Sequence, residues 1–406
     1  MKGILKTYNV GLGDCITFQI QDGVESFNIL IDCGELTDAV RDVIRGDFSS
    51  RIDLLVVTHI DEDHIKGVSD LLDEMHDSLS IRHIWFNSIQ CGSEMNPRQL
   101  SEAERHTIER LKECFVANCQ STSGPSSLND AKLLTEKILS KADWAAAWNN
   151  RILTSAHEDI CYADGRWGIF KILSPEPNYL RLHSKDFENM FKAHLYKTDV
   201  ENLEGCQFLY ELLCRLSMRL EPQDMSEGEP SSSIILSEQS VRDFARDDNY
   251  KTIGLTTANQ MSIAFAWELN GKNILFLGDS HPNKVAKSIE DKYGSVPVVF
   301  DAVKVAHHGS EHNISRPLLK AVDSPLFLIT GGEESSKPSY KSIARIICKP
   351  LPYREDGSLY FDSRQILCNR NTDVVEDYTQ AQAALSSMLN YTIACNNQNS
   401  VYEFEI

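Results

Sequence analysis

Long apolar runs are missing from this sequence. None approaches the roughly 18 residues that a membrane-spanning helix needs, so no transmembrane segment is expected. The opening residues, Met1-Lys2-Gly3-Ile4-Leu5-Lys6, lack a long apolar core and soon meet Gly11-Leu12-Gly13-Asp14, so no signal peptide is expected either. Cys-x-x-Cys pairs are also absent among the eleven cysteines, of which Cys114 and Cys119 stand nearest each other. An odd count without such pairs points to reduced thiols, several of them buried, in a cytoplasmic protein. Positive charge is scarce: 40 Lys and Arg against 59 Asp and Glu leave a net charge of −19. That argues against a surface that grips polynucleotide phosphates broadly. It leaves open an enzyme acting on phosphates, because bound divalent metals reverse the sign of the local field.

What is present is globular. The apolar fraction is 42% and the aromatic fraction 8%. At 406 residues the chain suits two or three average domains, or one large domain with insertions. Its centre of gravity is the stretch Thr58-His59-Ile60-Asp61-Glu62-Asp63-His64-Ile65-Lys66-Gly67. A short apolar run, Leu54 to Val57, leads into it as a buried strand, and Val68, Leu71, Leu72 and Met75 follow with helical spacing. His59, Asp61, Asp63 and His64 therefore fall on a strand-to-helix loop, where side chains can converge. Two imidazoles and two carboxylates form a borderline-to-hard set that suits a divalent cation.

Around this loop the sequence reads as two strand-rich parts with a helical middle. Ile4–Val10, Cys15–Ile20 and Phe27–Ile31 are β-rich runs separated by turn sequences, Leu36–Ile44 looks helical, and Ile81–Phe86 is one more strand. Helical patterns run from Pro97 to about Cys119, from Leu128 to about Trp148, and from about His183 to Leu220, with a strand at Trp167–Leu173. Glu221 to Ser233 is rich in Pro, Ser and Glu and reads as a mobile linker. Trp144, Trp148 and Trp167 fit ordinary core packing better than a lining for the site. Strands resume as a hairpin, Met261–Leu269 and Asn273–Leu277, which ends in Gly278-Asp279-Ser280. Val298–Ala306 is a strand ending in His307-His308-Gly309-Ser310, and Pro325–Ile329 is another. Asp279 and His307 thus repeat the pattern of the first loop: each ends an apolar strand. The parts are 1–90, a mainly helical insertion at 91–250 containing the linker 221–233, and 251–406.

These motifs, in this order, resemble the metallo-β-lactamase fold, and within it the soluble hydrolase domain of ComEC-like DNA-uptake proteins. The matching stretches are Val10 to Cys15, Leu30 to Gly34, Thr58 to His64, Leu277 to Asp279 and Lys304 to Ser310, with Asn259-Gln260-Met261-Ser262 before the hairpin. They cover roughly residues 3–90 and 250–345. The resemblance implies an α/β fold, an αββα sandwich with metals at one edge between the sheets. It implies two divalent ions, zinc or manganese with magnesium as a further option: His59 and Asp61 on one, Asp63 and His64 on the other, Asp279 between them, and His307 completing a site with His308 nearby. A carboxylate at Asp61, where most of the superfamily has histidine, makes the site harder and favours manganese or magnesium. Lys337-Pro338 stands where the branch has histidine before proline. A protonated lysine cannot ligate a metal, but it can stabilise a phosphate oxyanion.

The expected function is a metal-dependent phosphodiesterase or nuclease. Asp63 would orient or deprotonate the attacking water, with Lys337 and His308 as further catalytic groups. The substrate would be single-stranded or short nucleic acid, or a nucleotide messenger, with no membrane involved. Alternatives are a metallohydrolase of esters, lactones or amides, since fold does not fix function, and a non-catalytic subunit whose helical insertion binds a partner protein.

Overall fold

The computed structural model describes residues 1–87, 126–149, 153–177, 235–247, 259, 261–332, 337–395 and 399–406. It is a mixed α/β structure. One sheet carries six strands in the spatial order Ser400–Glu405, Lys2–Thr7, Cys15–Asp22, Glu25–Cys33, Leu54–Val57 and Ile84–Phe86. The other carries eight: Tyr391–Cys395, Arg364–Cys368, Leu326–Ile329, Ala302–Lys304, Lys272–Phe276, Ala264–Leu269, Ile169–Ser174 and Ile160–Cys161. Alternation along Lys2–Thr7 sends Gly3, Leu5 and Thr7 inward.

Three apolar cores set the layering. One joins the two sheets, with Phe18 against Trp267 edge-on at a centroid distance of 4.8 Å and Phe265 stacked on Phe276 at 4.9 Å. A second lies between the six-stranded sheet and the helices Asp38–Arg45, Glu62–Glu74, Ser126–Ser140 and Ala142–Trp148. The third lies between the eight-stranded sheet and the helices Glu238–Arg246, Pro282–Tyr293, Arg316–Ala321, Tyr340–Ile347 and Asp373–Leu389. Helices therefore flank a pair of facing sheets. All three tryptophans named above are buried in these cores.

The expected hairpin is present as Ala264–Leu269 paired antiparallel with Lys272–Phe276. Two expected single strands are each broken. Ser80–Ile81 and Ile84–Phe86 pair with different partners, and Val298–Val299 separates from Ala302–Lys304. From the segment 91–250, Ile169–Ser174 pairs with Ala264–Leu269 and joins the eight-stranded sheet, while Ser126–Ser140 packs in the core against Glu62–Glu74. The C-terminal strand Ser400–Glu405 crosses back to pair with Lys2–Thr7. The linker 221–233 and the helical patterns at 97–119 and 183–220 lie outside the described residues. Among the described residues no helix is long and apolar enough to cross a membrane. Cys15, Cys33 and Cys368 are free and buried.

Candidate metal centre

Parallel pairing gathers several strand ends at one edge. Glu25–Cys33 and Leu54–Val57 run parallel in one sheet; Lys272–Phe276, Ala302–Lys304 and Leu326–Ile329 run parallel in the other. Their carboxyl ends deliver Asp32, Thr58-His59, Asp279, His307-His308 and Thr330. The helix Glu62–Glu74 starts there too, with Asp61 at its N-cap and Glu62 and Asp63 in its first turn. The partial positive charge of a helix start favours acidic side chains at these positions.

Two glycines permit the approach. Gly278 has φ +50, and a Cβ on it would lie 2.3 Å from Ser262 Oγ. That hydroxyl instead accepts the Asp279 backbone N–H at 2.9 Å and fixes the carboxylate's origin. A Cβ on Gly13 would lie 1.9 Å from the Asp63 carbonyl oxygen, which accepts the Asp14 N–H at 3.1 Å. His307 and His308 both adopt left-handed backbone, φ 48 and 53, uncommon outside glycine and typical of strained functional positions.

Each histidine is held by its Nδ1 and presents Nε2. Asp32 accepts from His64 Nδ1 at 2.9 Å, and from the Thr58 backbone N–H and hydroxyl, both at 2.7 Å. The Thr58 oxygen in turn accepts from His59 Nδ1 at 3.0 Å. His308 Nδ1 donates to the Thr330 carbonyl at 2.8 Å, and His307 Nδ1 to Asn313 Oδ1 at 3.1 Å. Holding one ring nitrogen this way sets the tautomer and aims the other at a shared ligand.

The atoms so presented lie at metal-sharing distances. Two donors about 2.1 Å from one ion in tetrahedral geometry stand about 3.4 Å apart. His59 Nε2 is 3.4 Å from Asp61 Oδ2 and 3.7 Å from Asp279 Oδ2; His64 Nε2 is 3.6 Å from Asp279 Oδ1 and 3.8 Å from Asp63 Oδ2. His308 Nε2 is 3.2 Å from Asp63 Oδ2, and His307 Nε2 is 3.7 Å from Asp279 Oδ2. Among the described residues, three groups close to within 4.8 Å: His59, His64 and Asp279; Asp63, His64 and His308; and Asp14, Asp32 and His64. Asp61 and His307 stand beside the first of these, each within reach of one member.

A metal fits here on physical grounds. His59 Nε2, His64 Nε2 and Asp279 Oδ1 are buried with no hydrogen-bond partner among the described residues. Buried polar atoms are normally satisfied, and one orphan costs about 1–3 kcal/mol. Three that converge call for a common partner, and a divalent cation suits two imidazole lone pairs and a carboxylate together.

The electrostatics agree. Burial alone would push the His64 pKa down, but the carboxylates of Asp279, Asp63 and Asp32 outweigh it and raise it well above the ordinary imidazole value. Burial would raise the Asp279 pKa; His307, His64 and His59 hold it well below the usual carboxylate range. His308 is pushed up to about 9, as Asp14 and Asp63 overcome its burial. His307 is pushed down to about 4 by burial and by the charges of Lys337 and His308, against the pull of Asp279. Without a metal the site therefore draws in protons, which is how a cluster of carboxylates behaves when it wants positive charge.

Sequence reasoning assigned no function to the residues supporting the ligands. Asp14 forms a buried ion pair with Lys304 and accepts from the Thr330 hydroxyl, while its carboxylate lies 3.3 Å from His308 Nδ1. Asn313 donates to the Asp279 and Ser280 carbonyls at 3.1 and 3.2 Å. One signal was available: Lys304 sits within Ala302-Val303-Lys304-Val305-Ala306, and a lysine in so apolar a strand needs a buried counter-charge.

No family model and no curated protein matches this chain. Among solved structures, a mutant of CmlA beta-hydroxylase aligns with 99% of this chain at 10% identity and a TM-score of 0.36. The alignment covers 54% of that protein, so the chain spans about half its length.

Proposed function

We propose that this chain is a metal-dependent hydrolase of the metallo-β-lactamase fold that cleaves phosphodiesters in nucleic acid or nucleotides. The observation that carries the reading is the convergence of three buried, partnerless ligand atoms, on His59, His64 and Asp279, at an edge where both sheets present strand ends. These three residues form the ion's seat. Asp61 beside His59, and His307 beside Asp279, are where a second ion would draw its donors. The imidazole and carboxylate set suits zinc or manganese.

A bound divalent ion would supply Lewis acidity and lower the pKa of a water molecule. Asp63 has the most open side chain of the group, 37% exposed, and serves to orient that water and accept its proton. His308 is bonded to Asp63 at 3.2 Å and, with its raised pKa, carries a proton at neutral pH. It holds the Asp63 carboxylate in place and can deliver that proton to the leaving oxygen. The Lys337 ammonium reaches the edge of the site and favours an anionic transition state over a neutral one. This supports a phosphate substrate over a lactone or amide.

The test is a substrate panel run side by side with manganese and with zinc: labelled single strands, cyclic dinucleotides, and carboxylic esters, lactones and amides. Phosphodiester cleavage, lost in Asp63→Asn, is expected. Turnover confined to the esters, lactones or amides would replace the phosphodiester reading with the other hydrolase class.

A further inference from the structure

The corner between His307 and Asp279 already holds a cation of the chain's own. Lys337 Nζ lies 2.8 Å from His307 Nε2. Asn313 fixes that ring. Its amide nitrogen is committed to the Asp279 and Ser280 carbonyls, so only its oxygen can face His307 Nδ1. Nδ1 therefore carries the ring hydrogen, and the single lone pair on Nε2 accepts from the ammonium. That same Nε2 is 3.7 Å from Asp279 Oδ2, the oxygen that also faces His59 Nε2 at 3.7 Å.

A lone pair serves one partner at a time, an ammonium hydrogen or a metal ion. The segment bearing Lys337 is also docked where it must be to occupy this corner: the Ser339 backbone N–H donates to the Gly309 carbonyl at 3.0 Å, on the loop that carries His307. The opposite side of the centre has a further limit. His64 Nε2 belongs to both the His59–Asp279 group and the Asp63–His308 group, and it can ligate only one ion.

We propose that Lys337 is a tethered cation closing the His307–Asp279 corner to metal, so that the centre retains one divalent ion, on His59, His64 and Asp279. This rests on the metal-centre reading above and extends it to the number of ions. The ammonium supplies the second positive charge that a second ion would otherwise bring, and it does so without drawing on any ligand beyond His307. Removing the ammonium frees the His307 lone pair, and a second ion can then bind between it and Asp279 Oδ2, 3.7 Å away.

The experiment uses the full chain, wild type and Lys337→Met. Each is loaded with excess manganese or zinc, passed through gel filtration into metal-free buffer, and measured by elemental analysis. Wild type is expected to retain one ion per chain and Lys337→Met two, with the double variant Lys337→Met/His307→Ala back at one. Lys337→Arg keeps the charge and is expected to stay at one, so the stoichiometry of a folded charge-preserving variant is available should the methionine variant not fold. Cobalt loading gives a second readout, since the visible ligand-field absorption per chain should rise in Lys337→Met and fall again in the double variant. Two ions retained by wild type or by Lys337→Arg, or one by folded Lys337→Met, overturns the proposal while leaving the metal-centre reading standing. No ion retained by any of these proteins overturns that reading and the proposal with it.

Discussion

The candidate ligands at this centre depend on side chains that would not touch an ion. Asp32 alone accepts from His64 and from both the backbone and hydroxyl of Thr58, and Thr58 in turn holds His59. Asp32→Asn is expected to weaken metal affinity by roughly 10- to 100-fold, the usual cost of losing such a partner. Competition with a chelator of known affinity measures it, and unchanged affinity would show that the imidazoles need no such support. Lys304 and Asp14 make a second test. Both are almost wholly buried, at 1% exposure each. Lys304→Met strips a buried carboxylate of its ammonium partner and should cost about 3–5 kcal/mol in urea unfolding. Adding Asp14→Leu should restore much of that loss; if it does not, the pair is not the origin of the effect. His59, Asp61, Asp63 and His64 were legible in the sequence because they lie within six positions. Asp14, Asp32 and Lys304 were visible only as parts of motifs, because their partners lie 290 positions away for Asp14 and Lys304 and 32 for Asp32 and His64. Lys337 reaches His307 from 30 positions away, a contact that no local pattern encodes.

At the scale of elements, the site is a property of where strands stop. The strands that end here in the eight-stranded sheet are five residues long or shorter, and each is followed within three residues by a candidate ligand or by a residue holding one. Gly278 stands at one of these exits, directly before Asp279. Gly278→Ala would place a methyl group against Ser262 Oγ in a backbone conformation that alanine adopts reluctantly. A loss of about 1–3 kcal/mol in stability is expected, with weakened metal binding because Asp279 is displaced. Normal stability with normal metal affinity would show that the close approach is unimportant. The hairpin and the metal loop could be read from local turn chemistry and apolar runs. The pairing of Ser400–Glu405 with Lys2–Thr7 could not, because no local pattern encodes a partner nearly the whole chain away. The breaks at Ile81–Phe86 and Val298–Ala306 fall at Arg82-His83 and at Phe300-Asp301, where the hydrogen-bonding partner changes; one or two polar residues inside an apolar run do not by themselves mark such a change.

For the whole molecule, a net charge of −19 makes the centre part of a wider negative field. His64 and His308 both have raised folded-state pKa values, the latter to about 9 from an ordinary 6.5. Their protons therefore stabilise metal-free protein fully below about 6.5, and that stability is lost as pH rises through the raised values. Metal-free protein should lose melting temperature between about pH 6.5 and 9, and metal-loaded protein should lose less, because the ion replaces the His64 proton. Calorimetric titration of chelator-stripped protein with manganese or zinc at neutral pH, in buffers of different protonation enthalpy, for wild type and Asp279→Asn, shows directly whether the centre takes up metal. Saturable binding with proton release is expected in wild type, and a loss of affinity in Asp279→Asn larger than the roughly 10- to 100-fold of an outer partner. Absence of saturable binding in wild type, or equal affinity in Asp279→Asn, would contradict a metal centre built on this carboxylate.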